Sequence, residues 1–545
     1  MGAKMSERLL LPEGFSFGVA TAGYQIEGGF NGPGEPCNNW QGWELTGRAA
    51  PSSGACGFWA DPTQALDRAE RIGCDSFRMS VEWARIEPEC GVIDTDALGH
   101  YGDICSMCLE RGLEPIVTLH HFTHPYWLGE EFWLRPASPD RFAEYVKKVV
   151  PVLSPYCKRW ITINEPNVLS TLGWIAGRFP PGRRLAVSDA FCVLDNLLSA
   201  HILAFDIVHA SCSEATVAFN TSSSSIYDQD RLLTDLICAR SKGIEREDLD
   251  AWIDERRIKH DEIYRARSFG DLGIRKLFAW ASPYGTSSRP RRHFSNGWLG
   301  LGAGTVSGAG SVSGAGSKAD VYRQVDLDAR SSSGLDTASS HRMGSALRSR
   351  VKRSAPRRVV DLVYSRADEL ALDVVGFDWY DPIASHAISL AEWGKSEGSK
   401  WAFARPLWDY QPSREGLSRW CVEQGELYDG REIWVVENGM ASRVSNDKSF
   451  GRADGWNRPR YLRENIGAVL DAVQAGSPIS TYLHWSLVDN YEWGSYEPRF
   501  GIFGFDRRND RWMETDVMGF DSAGEYAKII AGLKAGDRSV LENHR

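Results

Sequence analysis

The chain has 545 residues, 42% hydrophobic and 25% charged, with 62 basic against 72 acidic side chains and a net charge of -10. These proportions exclude a chain disordered throughout and a collagen-like repeat. An acidic chain with no dominant basic block gives no electrostatic case for nucleic acid. On reading the sequence, no stretch approaches the apolar run that spans a bilayer. Residues 1–14 lack the basic start and apolar core of a signal sequence. The eleven cysteines are scattered and form no disulfide framework. The expectation is a cytoplasmic chain without membrane or nucleic-acid partners, in which homo-oligomers are possible.

Short apolar runs predict strands at 15–20, 75–81, 115–119, 160–163, 215–219, 372–377, 433–436 and 479–483. Helical patterns fall between most of them, at 61–72, 97–111, 139–153, 186–209, 357–371, 413–424 and 458–475. Strand–helix alternation predicts an α/β chain with a parallel sheet. Eight such units predict a closed (β/α)8 TIM barrel rather than an open sheet, with residues 1–545 forming one domain.

One gap stands out: 158 residues separate Phe219 from Phe377, against 38 to 61 between the other strand ends. Residues 222–356 are therefore expected to be an insertion between strands 5 and 6. Its centre, about 302–317, is rich in Gly, Ala and Ser and has the composition of a flexible linker. A basic stretch follows, through Arg348, Arg350, Lys352, Arg353, Arg357 and Arg358. A tether or lid is one reading of it; a solvated, tolerated insertion is the favoured one.

In such a barrel, functional groups come from the C-terminal ends of different strands. Asn164-Glu165-Pro166-Asn167 follows the fourth strand, and Glu437-Asn438-Gly439 follows the seventh. Two carboxylates facing one pocket are what glycosidic bond cleavage needs: one protonates the leaving oxygen and the other meets the anomeric carbon. The competing reading of either glutamate is a structural salt bridge. The 21 tryptophans suit core packing first and stacking on flat sugar faces second.

The local sequences resemble glycoside hydrolase family 1. Thr162-Ile163-Asn164-Glu165-Pro166-Asn167 is similar to that family's acid/base motif, and Trp434-Val435-Val436-Glu437-Asn438-Gly439 to its nucleophile motif. The likeness continues through residues 17–28, 77–83, 119–122 and 484–493. It implies a retaining β-glycosidase acting on unphosphorylated β-glucosides, with β-galactosides or β-fucosides as further candidate substrates. A transglycosidase on the same site and a sugar-binding pseudoenzyme are the alternatives.

By the resemblance, Glu437 is the nucleophile and Glu165 the acid and then the base. Arg78 and Tyr380 support Glu437. Gln25, His121, Asn164, Trp485, Glu492 and Trp493 bind the sugar, and the entrance is lined by Trp174, Phe179 and the Trp40–Trp43 region. No metal or organic cofactor is expected, because two carboxylates suffice. Glu492 speaks against a 6-phosphorylated sugar. Three positions depart from the family pattern. Asp378 stands where Asn is usual, Phe122 where Trp is common, and Gly57 where an acidic residue is frequent. Asp378 adds a carboxylate near the site and puts the pH optimum and substrate range in question.

Overall fold

The computed structural model describes residues 11–224, 226–264, 269–285, 357–368, 370–380, 412–445, 448–452 and 455–542. Eight parallel strands close into a barrel: β1 Ser16–Ala20, β2 Ser76–Ser80, β3 Glu114–Thr118, β4 Arg159–Asn164, β5 Thr216–Ser222, β6 Val375–Trp379, β7 Ile433–Asn438 and β8 Ile479–Trp485. Each strand pairs with its neighbour in the chain, and β1 pairs with both β2 and β8. Parallel strands are covered on both faces, so they read as continuous apolar runs; every residue of β1, β2, β4, β6 and β7 is buried.

The barrel interior is filled by Ile116, Ile161, Ala218, Trp434 and Leu483. At the foot of the barrel, the Arg159 guanidinium lies 4.1 Å over the Trp434 ring and donates to Glu114 at 3.1 Å. An outer ring of helices buries the other strand faces. Their starts follow local chemistry: Asp94, Ser413 and Asn457 each accept a backbone N–H of the following helix, which satisfies a donor that the helix itself leaves open. A last helix, Ser522–Lys534, is tied to β1 through Tyr526, whose Oη donates to the carbonyl of Gly18 at 2.8 Å.

Three expectations change. The helix expected over 357–371 ends at Ser365. The Arg240 guanidinium takes the carbonyls of Val363 and Arg366, at 3.4 and 2.5 Å, and the chain then turns extended toward β6. Secondly, helix Val187–Ser211 is long and apolar enough to cross a membrane, contrary to the sequence reading. Most of that apolar length is buried, and the helix packs against Ser138–Leu153.

Thirdly, the chain after β5 is not merely a solvated loop. The Gly/Ala/Ser-rich segment 302–317 and Arg348, Arg350, Lys352 and Arg353 lie outside the described residues. The described part forms helices Arg231–Cys238, Leu249–Ile263 and Phe269–Ala281. Arg257 grips Asp228 through two bonds of 2.8 and 2.9 Å, and Arg256 grips Asp235 at 2.6 and 2.8 Å. Arg357 pairs with Asp250 and Arg358 with Asp140. These two arginines are anchors, not a free basic tether.

The helix Arg458–Gln474 is tied to the barrel top by its first residue. Arg458 is fully buried, donates to Asp516 at 2.9 Å, and takes the carbonyls of Met440 and Arg499. Removing one partner leaves an uncompensated buried charge. Arg458→Ala is expected to lower unfolding free energy by about 3–5 kcal/mol, measured by urea denaturation; a loss below about 1 kcal/mol would show the pair to be dispensable.

Candidate active site

The strand ends place their polar side chains at one mouth. Arg78 of β2 is fully buried. Its Nη1 donates to Glu437 Oε1, its Nη2 to Asn164 Oδ1 at 2.6 Å, and its Nε to Thr118 Oγ1 at 3.0 Å. Tyr380, just past β6, donates to Glu437 Oε2 at 2.5 Å. Both oxygens of Glu437 therefore have donors, one of them a guanidinium.

Glu165 follows β4 in a left-handed conformation, φ 38°. A non-glycine residue held there is strained, and such strain collects at functional sites. Two wall residues of the same pocket share the feature, Phe122 at φ 68° and Trp493 at φ 46°. The Glu165 backbone N–H donates to the Asn220 carbonyl at 3.0 Å, and Asn167 exchanges two bonds with the Ser222 backbone. The kink after β4 is thus clamped to β5. Gly439, which closes the second motif, has a packing cause: a Cβ there would lie 1.9 Å from the carbonyl oxygen of Trp485.

Burial, and then the charge of Glu437, push the Glu165 carboxyl well above the usual carboxylate range. Asp378 of β6 is fully buried and shifted upward for the same two reasons, with Glu165 adding to the effect. Glu165, Asp378 and Glu437 each present an oxygen within 4.8 Å of the other two. Three carboxylates so close are a possible cation cage. Here Arg78 already supplies the positive charge, and Arg78 and Tyr380 already occupy both oxygens of Glu437.

Of the expected sugar-binding residues, His121, Trp485, Glu492 and Trp493 line the pocket together with Glu165, Glu437 and Tyr380. The His121 ring stacks near-parallel on Trp485 and Trp493, with centroids 5.9 and 5.6 Å away. Burial, and then Arg78, push its pKa well below the usual range, so it is neutral. Glu492 accepts from Trp485 Nε1 at 3.2 Å, and burial raises it to about 8.

Asn164 sits one layer below, between Arg78 and His121. Gln25 is likewise beneath the wall; its Nε2 donates to Asn490 at 3.2 Å and its Oε1 has no hydrogen-bond partner among the described residues. Phe179 lines the pocket as expected. Trp174, Trp40 and Trp43 do not line it and are buried; Trp40 packs against Phe179 and Trp493.

Sequence reasoning missed Asn220, whose Nδ2 donates to Asn164 at 2.8 Å and also to Asp378. It also missed Ser222, Ser223 and Gln229 on the wall. A polar residue ending β5 was the available signal.

The profile of Glycosyl hydrolase family 1 matches residues 7–255 and 372–530. The chain belongs to that family. It is a glycoside hydrolase, acting on O-glycosidic bonds. It is 26% identical to β-glucosidase A of Thermotoga maritima over 90% of this chain and 92% of that one. It is 24% identical to the human cytosolic β-glucosidase over 97% and 100%, and 24% identical to a 6-phospho-β-galactosidase of Clostridium acetobutylicum over 95% and 98%. The fold matches the solved family 1 β-glucosidase of Thermotoga maritima with a TM-score of 0.64, over 97% of this chain and 99% of that one, at 22% identity.

Tyr380 touches Glu437 through one bond to a charged group, worth about 1.5–3 kcal/mol. Tyr380→Phe is expected to lower kcat/KM on a β-glycoside by about tenfold to a hundredfold, with little change in Tm. Unchanged kinetics would remove Tyr380 from the site.

Proposed function

We propose that the protein is a retaining β-glycosidase of unphosphorylated β-glucosides, with β-galactosides and β-fucosides as further substrates. One observation carries this reading: Glu165 and Glu437 have oxygens within 4.8 Å of each other in opposed surroundings. A retaining pair stands about 5–5.5 Å apart, whereas an inverting pair leaves about 6.5–9.5 Å for a water between its carboxyls.

Glu437, held between Arg78 and Tyr380, attacks the anomeric carbon while Glu165 gives its proton to the departing oxygen. The product is a glycosyl ester on Glu437, which is no longer negative. With that charge gone, one cause of the raised Glu165 pKa disappears. Glu165 can then take a proton from water as the water attacks the ester carbon. His121, Trp485 and Glu492 offer the sugar a neutral imidazole, an aromatic surface and a carboxyl group. Because Glu492 is raised to about 8, it is largely protonated at neutral pH, so simple charge repulsion is a weak argument against a 6-phosphate. The stronger argument is burial: among the described residues, the groups that act on Glu492, namely Trp485, Glu437, Asn490 and Asp489, include no cation to compensate a phosphate beside it, and Arg178 on the pocket wall is not one of them.

The same reading takes residues 1–545 as one catalytic domain with 222–356 inserted. Ser223, Ser224 and Gln229, from the start of that segment, line the pocket. Likeness to a cytosolic human relative and eleven free cysteines support a cytoplasmic location.

The test pairs two variants on a panel of β-glycosides that includes a 6-phospho analogue. Glu437→Ala is expected to lose turnover and to regain it with azide, giving a product of inverted configuration. Glu165→Ala is expected to slow alkyl glucosides far more than dinitrophenyl glucosides, which leave without a proton. Retained activity in the first variant, or equal losses on both substrates in the second, would overturn the assignment. Because Glu165 is raised and acts as an acid, wild-type activity is present below its pKa and is lost as pH rises through it.

A further inference from the structure

Asp378 has no role in the two-step scheme, yet it is fully buried between the two glutamates. Asn220 of β5 donates to its Oδ2, whereas Oδ1 has no donor among the described residues. Glu165 and Asp378 bring carboxyl oxygens within 4.8 Å of each other, and their contact acts on the proton affinity of both groups. Two ionised carboxylates are acceptors only. Such a contact, with one aspartate oxygen left open, is satisfied when a proton lies between the two groups.

We propose that Asp378 and Glu165 share one proton, and that Asp378 is a positioning residue that holds this proton at the pair for the first chemical step. The inference rests on the glycosidase reading and goes beyond it. The charged and titratable groups facing the pair are Glu437 of β7, Arg78 of β2 and Tyr380 after β6. Arg78 answers one negative charge, that of Glu437. A pair with one proton leaves one further negative charge at the mouth; a pair with none leaves two, which burial opposes.

The proton balance closes over both steps. In the first, the bond from the anomeric carbon to the aglycone oxygen breaks and the shared proton leaves on that oxygen. The bond from Glu437 to the anomeric carbon forms. Glu165 and Asp378 are then both ionised, and Glu437 is a neutral ester. In the second, the water oxygen bonds to the anomeric carbon, the ester bond breaks, and a proton of the water returns to the pair. Two adjacent carboxylates at that moment make a stronger base than one.

The experiment is kcat/KM against pH for wild type and Asp378→Asn, on an alkyl β-glucoside and on a dinitrophenyl β-glucoside, with Tm measured alongside. On the alkyl substrate the alkaline limb of the variant is expected to move down by about one pH unit or more. At a pH on that limb, activity falls about tenfold relative to the variant's own maximum. On the dinitrophenyl substrate no matching shift is expected, because no proton is needed. A purely structural Asp378 would change Tm or KM and leave the alkaline limb in place, and that result overturns the proposal, as does an upward shift. If the Asn variant does not fold, Asp378→Ser carries the same expectation. A folded wild type that releases no sugar contradicts the glycosidase reading instead, so the two failures are separable.

Discussion

Arg78 is a guanidinium buried in the wall of a barrel, and the arrangement of the mouth follows from satisfying it. It is fully buried, so its donors need acceptors from the barrel itself rather than from water. Glu437 on β7, Asn164 on β4 and Thr118 on β3 supply them. Those bonds cross the mouth and fix where Glu437 points. They also fix Asn164, which in turn meets His121 and Asn220. A lysine would present one compact charge and could not span three strands with the same fork.

The second constraint is charge. Three carboxyl groups lie close together with one guanidinium among them. They cannot all be ionised in so dry a place, and the upward shifts of Glu165 and Asp378 express that. In the proposed mechanism, the division of labour between a carboxylate that attacks and a carboxyl that donates follows from position, not from residue type. Glu437 has the guanidinium and the phenol; Glu165 has burial and a negative neighbour. The left-handed backbone at Glu165, Phe122 and Trp493 shows that the fold bears local strain to bring these groups together.

The barrel was legible because parallel strands covered on both faces must be apolar throughout, and all eight apolar runs became strands. Their ends were less legible. β5 runs on to Ser222, β6 to Trp379, β7 to Asn438 and β8 to Trp485; backbone pairing continues where the side chains turn polar for the mouth. Glu165, Glu437, Arg78 and Tyr380 were readable from local motifs and come together. Asn220 was not, since the only signal was that β5 turns polar over its last residues, Asn220 to Ser222, and that alone assigns no role. Trp40, Trp43 and Trp174, expected at the entrance, are buried instead, with Trp40 packed behind Phe179 and Trp493 and Trp43 packed on Trp40. The helices between β5 and β6 were passed over when the segment was read as a solvated insertion, although Leu232, Leu233, Leu236 and Ile237 recur at helical spacing and are buried in the core.

In the proposed mechanism Glu437 forms a covalent bond to the sugar, and the stereochemistry of the product reports on that bond most directly. The measurement is NMR of the first sugar released from an aryl β-glucoside, taken before the anomers equilibrate. The account predicts the β anomer, the outcome of two successive inversions. An initial α anomer would require direct attack by water and would contradict it.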